Sequence, residues 1–298
     1  MKTTDFTTCN VCDNPGTLET AKEVEEIYSD RRKFSDRKFT VWRCSSCGSL
    51  HSKEAVNLDE YYQGYLGNQR LDYFLSCMYY TRLKLLSKYG FRKSSTLLDY
   101  GCNQGLFLSF LRERGYKNVF GYDAYIPKYA DETVLSKKYD FVVSYQVIEH
   151  VEEPRHFFRQ AASCLEQGGI LVIETPNATD ISLSGIDEGP LDKKRLLHQP
   201  YHRHTLSQQA LLGLGLSQGL SVVPSSSRIE YDTLFPGVNN RAISTYFQLA
   251  GDVHDVIEEP FQIKTFLTSP QLWFYCFFGY FFPVKGYMRV IFQNLSES

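Results

Sequence analysis

Short apolar runs alternate with helical patterns through the middle of the chain. In residues 96–111, TLLDYGCNQGLFLSFL, an apolar strand ends in Asp99, a glycine-containing turn follows, and apolar residues then recur at helical spacing. The segment NVFGYDA repeats a strand that ends in an acid, at Asp123. These elements form the first half of a doubly wound sheet, in which the ligand lies beyond the carboxyl ends of the strands. The pattern therefore predicts a nucleotide-type cofactor site.

The same alternation continues after this segment. Phe141–Tyr145 predicts a further strand, which leads into QVIEHVEEP, and Pro154 suits the first turn of the helix that follows. Gly168 and Gly169 are expected to end that helix, and ILVIETPN predicts the next parallel strand. We therefore expect an α/β protein with a doubly wound, mostly parallel sheet.

The glycine turn argues against one cofactor class and suggests another. A dinucleotide site requires G-x-G-x-x-G, but Asn103 and Leu106 occupy the second and third glycine positions. The form DYGCNQG instead resembles the first motif, D-x-G-C-G-x-G, of class I S-adenosylmethionine-dependent methyltransferases. VIEHVEEP and GGILVIETPN resemble later motifs of that family, especially in ubiquinone-pathway and sugar O-methyltransferases, so the resemblance covers residues 96–180. It implies a Rossmann-like fold and S-adenosylmethionine as cofactor.

The resemblance also implies which residues bind the cofactor. The turn would pass under the methionine part, Asp99 would orient its amino group, and Asp123 would accept hydrogen bonds from both ribose hydroxyls. Asn103 replaces the usual middle glycine, and asparagine tolerates the left-handed backbone that such a turn requires. The predicted cofactor-binding set is Asp99, Gly101, Cys102, Asn103, Gly105, Asp123, Ala124 and Gln146.

The interval after the second acid departs from the family pattern. Only sixteen residues separate Asp123 from Asp140, too few for a full helix and a full third strand. Asp131 lies in this interval and is available as an adenine-contacting acid, but Gln146 is the stronger pocket candidate.

Histidines are the candidate catalytic groups. Methyl transfer requires an aimed nucleophile, and an alcohol acceptor must also lose a proton. His150 lies at the edge of the sheet where the methyl group is expected, and Glu149 could orient it. His202, in LLHQPYHRHTLS, is the second catalytic candidate because related enzymes carry a similar segment. Two alternatives stay open: His150 as a helix cap, and a divalent metal near His198, His202 and His204.

Two C-x-x-C pairs lie near the N-terminus, with 31 residues between them. Such pairs can present four thiolates to one tetrahedral ion, and a closed four-sulfur site is structural rather than catalytic. A segment this small also needs a metal to fold. The predicted zinc ligands are Cys9, Cys12, Cys44 and Cys47.

The segment after the second pair resembles a methyltransferase subgroup with a zinc ribbon in front of the catalytic domain. That subgroup includes sugar C-methyltransferases. In it, an aromatic pair and a further tyrosine, here Tyr61, Tyr62 and Tyr65, lead into a helix beside the active site. That helix could cap the cofactor, or the tyrosines could pack at an interface.

The composition and charge of the chain limit the classes of partner that it is expected to bind. The chain is 43% hydrophobic, which suffices for a substantial core, and its formal charge of −2 creates no field that would attract nucleic acid. We therefore expect no nucleic-acid partner. The N-terminus lacks the apolar core of a signal peptide, so a cytoplasmic, reducing location is expected and the eight cysteines are not expected to form disulfides.

Residues 265–284 carry no charge and are rich in aromatic side chains. Twenty such residues reach the length of a membrane span, but Ser269, Pro270, Gln271 and Pro283 interrupt them. We interpret the segment as a buried or interfacial helix. It could form a homodimer contact, the lid of an apolar substrate pocket or a peripheral membrane contact, in that order of preference. GYMRVIFQN predicts the last strand, antiparallel at the sheet edge.

These patterns divide the chain into five segments. We expect a zinc ribbon at 1–55, a helical connector or cap at 56–95, a methyltransferase core at 96–234, an aromatic-rich helical insertion at 235–284, and the last strand with a tail at 285–298.

The predicted function is S-adenosylmethionine-dependent methylation of an oxygen on a small-molecule, sugar or glycan-pathway acceptor, with a histidine base. The zinc ribbon favours an alternative, carbon methylation of a nucleotide-linked keto-sugar, which requires a base that forms an enolate. Asn103 and the short interval after Asp123 leave a third possibility, a non-catalytic binding module with a methyltransferase fold.

Overall fold

A computed structural model describes residues 6–30, 34–56, 70–188, 191–224, 229, 232–250 and 262–295. The predicted tyrosines Tyr61, Tyr62 and Tyr65 lie outside these described residues. The chain packs into two compact units. The first unit comprises Met1–Asn68, Pro176–Ala210 and Tyr231–Tyr287, and the second comprises Gln69–Thr175, Leu211–Glu230 and Met288–Ser298. The five segments expected from the sequence stay a prediction, and the two units cut across them.

Ten strands and eight α-helices form the described part of the chain. The strands are β1 (Val24–Tyr28), β2 (Lys38–Arg43), β3 (Leu50–Ser52), β4 (Leu97–Tyr100), β5 (Val119–Tyr122), β6 (Tyr139–Tyr145), β7 (Leu165–Pro176), β8 (His204–Thr205), β9 (Ser221–Val223) and β10 (Tyr287–Gln293). The helices are α1 (Tyr73–Lys88), α2 (Leu106–Glu113), α3 (Pro154–Ser163), α4 (Leu191–Leu197), α5 (Gln208–Ser217), α6 (Asn240–Ala250), α7 (Ile263–Thr268) and α8 (Pro270–Phe278).

The second unit is built on a six-stranded sheet with the order β5-β4-β6-β7-β10-β9. Its first four strands pair in parallel; Leu98 in β4, for example, lies between Phe120 of β5 and Val142 of β6. All four residues of β4 and six of the seven of β6 are buried. Central strands of a parallel sheet are covered on both faces, which explains their nearly continuous apolar sequences. The predicted doubly wound, mostly parallel α/β fold is confirmed.

The interval between β5 and β6 holds two 3-10 turns, Pro127–Tyr129 and Glu132–Ser136. All of its residues are described, and none of them joins the sheet. The interval is too short for both a helix and a strand, and the structure accordingly contains only these two turns.

Two expectations from the sequence are wrong: where helix α3 ends, and where the last strand lies in the sheet. Helix α3 ends at Ser163, and the two glycines expected to end it lie inside β7. A side chain on Gly169 would collide with the carbonyls of Glu166 and Tyr139, so a close backbone approach explains the glycine. The last strand β10 is not at the edge, because β9 pairs antiparallel with its outer side.

The first unit contains an antiparallel sheet with the order β1-β2-β3-β8. Arg43, at the end of β2, donates to the carbonyls of Ala178 at 3.2 Å and Ile181 at 2.5 Å, which fixes the segment after β7 to this sheet. An apolar cluster lies beneath it, formed by Ile27, Val41, Leu50, Ala178, Ile181, Leu183, Ile186, Leu196 and Leu197.

The aromatic-rich segment forms separate short helices in the first unit. Ser269 ends α7, and its side chain accepts a hydrogen bond from the backbone N–H of Leu272, which starts α8. A 3-10 turn, Gly279–Phe281, follows α8. Among the described residues no helix is both long enough and apolar enough to span a membrane. The helical character expected for this insertion is confirmed.

Candidate cofactor site and catalytic residues

The glycine turn joins β4 to α2 at the carboxyl edge of the sheet. Gly101, Asn103 and Gly105 all have left-handed backbones, with φ values of +86°, +48° and +71°. Asparagine tolerates this conformation better than other residues with a side chain. Asn103 therefore keeps the turn geometry that the motif requires.

A carboxylate from the neighbouring strand holds the turn in place. Asp123 follows β5, and its Oδ2 accepts the backbone N–H of Asn103 at 2.8 Å while its Oδ1 accepts the N–H of Tyr125 at 3.0 Å. Each carboxylate oxygen has a second acceptor position, so Asp123 keeps the capacity to accept two more donors. Asp99 lies at the end of β4 and is 4% exposed. The structure thus brings both predicted acids to one edge of the sheet.

Gln146 occupies an unusual position at the end of β6. It has a left-handed backbone with φ +57°, and its N–H donates to the carbonyl of Glu174 at 2.8 Å. Its side-chain Nε2 is buried and has no hydrogen-bond partner among the described residues. A buried amide donor without an acceptor is costly, and such groups mark ligand positions. This observation fits a polar ligand at the carboxyl ends of β4 and β6.

Tyr129 closes over the turn from the shortened interval. Its ring lies so close to Gly105 that any side chain there would collide with it, and its buried hydroxyl has no hydrogen-bond partner in the part of the chain that the structure describes. The glycine is therefore required for a close approach as well as for its backbone angle. The turn and Tyr129, with Gln146 at the end of the neighbouring strand β6, supply polar groups that suit S-adenosylmethionine.

Arg82 is a candidate that the sequence analysis missed. It lies on α1, is 8% exposed, and places its guanidinium carbon 3.7 Å from the centroid of the Tyr145 ring. Tyr145 is the last residue of β6, directly before Gln146, so a buried cation lies near the cofactor edge. An arginine among the apolar and aromatic residues of MYYTRLKLL, which also contains Thr81 and Lys84, was the available sequence signal.

Glu149 is fully buried in the segment after β6. Its Oε2 accepts a hydrogen bond from the Thr175 hydroxyl at 3.0 Å, and within the described ranges its Oε1 has no hydrogen-bond partner. Burial raises the pKa of Glu149 to about 8, despite the opposing hydrogen bonds. The side chain is therefore mostly protonated at neutral pH, where it can donate a hydrogen bond and orient a neighbour.

His150 lies in the turn that precedes α3, and its N–H donates to the carbonyl of Val147 at 2.9 Å. The N-cap of α3 is Glu153, so His150 does not cap this helix. Its place at the exit of β6 is the carboxyl edge expected for a residue near the transferred methyl group.

The remaining histidines belong to the first unit and have different partners. His202 bonds through Nδ1 to the carbonyl of Leu196 at 2.8 Å, which fixes the proton on Nδ1 and leaves Nε2 as the basic nitrogen. His198 bonds to Asp30 at 2.8 Å, and His204 lies 3.0 Å from His51, Nδ1 to Nδ1. Within the described residues these three histidines do not converge on one metal site.

Four cysteines converge in the first unit. The sulfur of Cys9 lies 3.7 Å from that of Cys12 and 3.8 Å from that of Cys47, and the Cys12 and Cys44 sulfurs are 4.0 Å apart. A tetrahedral zinc ion with bonds of about 2.3 Å requires sulfur–sulfur distances of about 3.8 Å. The hydrogen bond between Cys9 and Cys47 lowers the pKa of Cys47 and raises that of Cys9, so it favours a thiolate on Cys47. The donor set fits zinc.

The sequence matches the family model described as "Methyltransferase domain" over residues 71–225, slightly more than half of the chain. The chain belongs to this methyltransferase domain family. The class I S-adenosylmethionine-dependent methyltransferase inferred from the sequence is thereby confirmed at the level of the family. The match begins just before α1 and ends just after β9, so it lies mainly on the six-stranded sheet and its helices.

Individual relatives of this methyltransferase cover less of the chain. A ubiquinone biosynthesis O-methyltransferase from Rickettsia bellii is 29% identical over 116 residues, which are 32% of this chain and 48% of the relative. The Caulobacter vibrioides protein of the same name is 32% identical over 105 residues, which are 28% of this chain and 42% of the relative. The matched part thus spans about half the length of these curated relatives.

Solved structures resemble the methyltransferase as well. An S-adenosylmethionine-dependent methyltransferase from Mesorhizobium loti gives a TM-score of 0.42 at 14% identity, covering 72% of this chain and 97% of its own. A mycolic acid cyclopropane synthase complexed with S-adenosylhomocysteine gives 0.44 at 16% identity, covering 72% of this chain and 83% of its own.

The raised pKa of Glu149 predicts a pH-dependent stability. Between the ordinary carboxyl pKa of 4.5 and about 8, Glu149 is ionised in the unfolded chain but protonated in the folded chain. The free energy of unfolding should therefore fall as pH rises through this window, by about 1 kcal/mol per pH unit. Glu149→Gln should remove this pH dependence of the free energy of unfolding. Glu152→Gln, at an exposed position, should retain it. Denaturant unfolding of the three proteins from pH 5 to 8.5 measures the difference, and parallel curves for all three would contradict the assignment.

Proposed function

We propose that the chain transfers a methyl group from S-adenosylmethionine to an oxygen of a small-molecule acceptor. The observation that carries this proposal lies at the carboxyl edge of the sheet, where Asp123 holds the left-handed turn after β4 and where, at the end of β6, the buried side-chain Nε2 of Gln146 has no hydrogen-bond partner among the described residues. When bound, the cofactor supplies an electrophilic sulfonium methyl group. The printed names of the curated relatives support oxygen as the methylated atom.

Different residues of the chain would hold different parts of the cofactor. Asp123 would accept the ribose hydroxyls at the second acceptor position of each carboxylate oxygen. The turn around Asn103 would support the methionine part, with Asp99 beside its amino group. The buried cation of Arg82 suits the methionine carboxylate, because an arginine binds a carboxylate strongly in a site of low dielectric.

A histidine would take the proton that the acceptor hydroxyl loses. His150, at the exit of β6, is the first candidate, and the protonated Glu149 beside it in sequence would act as an orienting donor. His202 is the second candidate because its Nδ1 is bonded to a carbonyl and its Nε2 is the basic nitrogen. The acceptor oxygen forms its new bond to the methyl carbon as the carbon–sulfur bond breaks, so the net charge is conserved.

The acceptor class and the location are further parts of the proposal. Sugar or glycan-pathway acceptors remain our inference from the sequence resemblance, and a cytoplasmic location remains our expectation from the sequence itself. The acceptor pocket of such a fold is built from loops and insertions, which vary freely on a shared framework.

We also propose that the four-cysteine cluster binds one structural zinc ion. Cys9, Cys12, Cys44 and Cys47 would complete a tetrahedral shell and leave no open position for chemistry. Backbone hydrogen bonds already shape both turns, as Cys9 donates to Gly16 at 2.9 Å and Gly48 donates to Cys44 at 3.0 Å. The ion would stabilise the N-terminal segment, in line with the proposed ribbon at 1–55.

Replacing Asp123 tests the cofactor site. Asp123→Asn keeps one acceptor oxygen for the turn but loses the bidentate carboxylate, so the Kd for S-adenosylmethionine should rise by roughly tenfold to a hundredfold. Glu132→Gln is the matched control, because Glu132 is an exposed acid of the same interval with no role in the proposed site. Titration calorimetry measures both variants. Equal affinities of the two variants, or no binding by the unaltered protein at millimolar cofactor, would refute the proposed site.

Replacing the histidines tests the base. His150→Ala or His202→Ala should lower turnover by about a hundredfold or more while cofactor affinity stays unchanged, since general-base catalysis contributes about that factor. His156→Ala is the control because His156 is exposed on α3. Methyl transfer to a panel of hydroxylated acceptors provides the rate. Unchanged rates in both single variants would remove the two histidines from the mechanism.

Removing one ligand tests the zinc site. The purified chain should contain one zinc ion, and Cys12→Ser should lose most of it and unfold the N-terminal segment at a lower temperature. Cys164→Ala should retain the metal, because Cys164 is a buried cysteine of the second unit that lies outside the cluster. Elemental analysis and thermal unfolding report the result. A metal content equal in all three proteins, or absent from the unaltered one, would disprove the assignment.

A further inference from the structure

Helix α8 is apolar on both of its sides. Leu272 and Cys276 face inward and pack against α6, where they join a cluster with Ala242, Tyr246 and Phe247. The outward side is equally apolar but exposed. A helix that is apolar all round is normally buried, so the outer side of α8 requires an occupant.

The exposed residues form one group, which we call the aromatic face. Their exposed fractions lie between 43% and 64%. Its members are Ile263, Leu267, Trp273, Phe274, Phe277, Phe278, Phe281 and Phe282. Contiguous exposed apolar surface of this kind marks an interaction site, whereas single exposed apolar residues do not.

The rings of the aromatic face are ordered against each other. Phe274 lies 5.2 Å from Phe278 and 5.7 Å from Phe282, centroid to centroid. Trp273 stacks on Phe266 at 5.1 Å, and its indole N–H donates to the carbonyl of the same residue at 2.8 Å. The polar atom of the tryptophan is thus satisfied within the segment, which leaves an apolar surface to present outward.

The charges near the aromatic face help to decide what covers it. The described residues 262–295 include no aspartate or glutamate, although the chain has 34 acidic residues in total. Two exposed lysines, Lys264 and Lys285, flank the aromatic face. In a twofold contact between copies, the same patch meets itself. Among the charged side chains of residues 262–295, each lysine would then meet only positive ones on the other copy. The acids of 251–261 lie outside the described residues.

A membrane surface can cover an apolar aromatic face and can also attract the positive charges beside it. Aromatic rings bury well at the boundary between headgroups and acyl chains, and lysines beside them are attracted to anionic lipids. We propose that the aromatic face binds the surface of anionic phospholipid membranes, with Lys264 and Lys285 contacting the headgroups. This reverses the order of preference that the sequence alone suggested, because the structure exposes the rings and the two lysines that flank them in sequence.

Sedimentation with vesicles tests the proposal on the full chain. The protein should cosediment with vesicles of phosphatidylcholine and phosphatidylserine at a ratio of about 7:3, and less with pure phosphatidylcholine. Phe277→Ser combined with Phe281→Ser should lower the partition coefficient at least about tenfold. Leu234→Ser is the matched control, because Leu234 is 69% exposed in the same unit but outside the aromatic face, and it should bind normally.

The lysines provide an independent variant that does not touch the apolar surface. Lys264→Glu combined with Lys285→Glu should remove about tenfold or more of the preference for the anionic vesicles. Unaltered protein that stays in the supernatant with both kinds of vesicle would overturn the proposal. Self-association in sedimentation velocity without lipid, abolished by the phenylalanine pair, would overturn it in favour of a second copy. Cofactor affinity should stay unchanged in every variant, so this test is separate from that of the methyltransferase site.

Discussion

The hydrogen bond between the Asn103 backbone and the Asp123 carboxylate connects the two strand ends on which the proposed cofactor site depends. It joins the turn after β4 to the residue after β5, and it uses only one acceptor position of one oxygen. The turn has three left-handed positions, at 101, 103 and 105, and the carboxylate adds to its backbone hydrogen bonds, in which Gly105 donates to the carbonyl of Cys102 and Gly101 donates to that of Tyr122. A carboxylate that fixes a turn and still has acceptor capacity is well suited to place a ribose beside that turn.

The shortened interval between β5 and β6 gives the site its particular form. Two 3-10 turns replace a helix and a strand there, and the first of them brings Tyr129 against Gly105. The backbone carbonyl of Tyr129 also accepts the N–H of Asp123 at 3.0 Å. The loss of a strand therefore supplies a side chain that closes the turn and a carbonyl that positions the acid. Shortening at this point is compatible with an intact cofactor site, and it gives no support to a degenerate module.

Local patterns made the sheet and the cofactor turn predictable. Strand ends, glycines and acids at fixed spacing lie close in sequence, so the residues from 96 to 123 carried enough information. Contacts between distant segments were not predictable in this way. Arg82 approaches Tyr145 only after α1 packs on the sheet, and β10 takes its place inside the edge only because β9 pairs beyond it. The exposure of the phenylalanines on α8 likewise depends on which side α6 covers, which the uniformly aromatic sequence does not specify.

A crystal structure with S-adenosylhomocysteine measures the central claim most directly. The account predicts that both ribose hydroxyls lie within hydrogen-bonding distance of the Asp123 carboxylate, that the amino-acid portion lies over the turn at 101–105, and that the Gln146 amide gains a partner. A ribose bound by other residues, or a ligand located away from the carboxyl ends of β4 and β5, would contradict it.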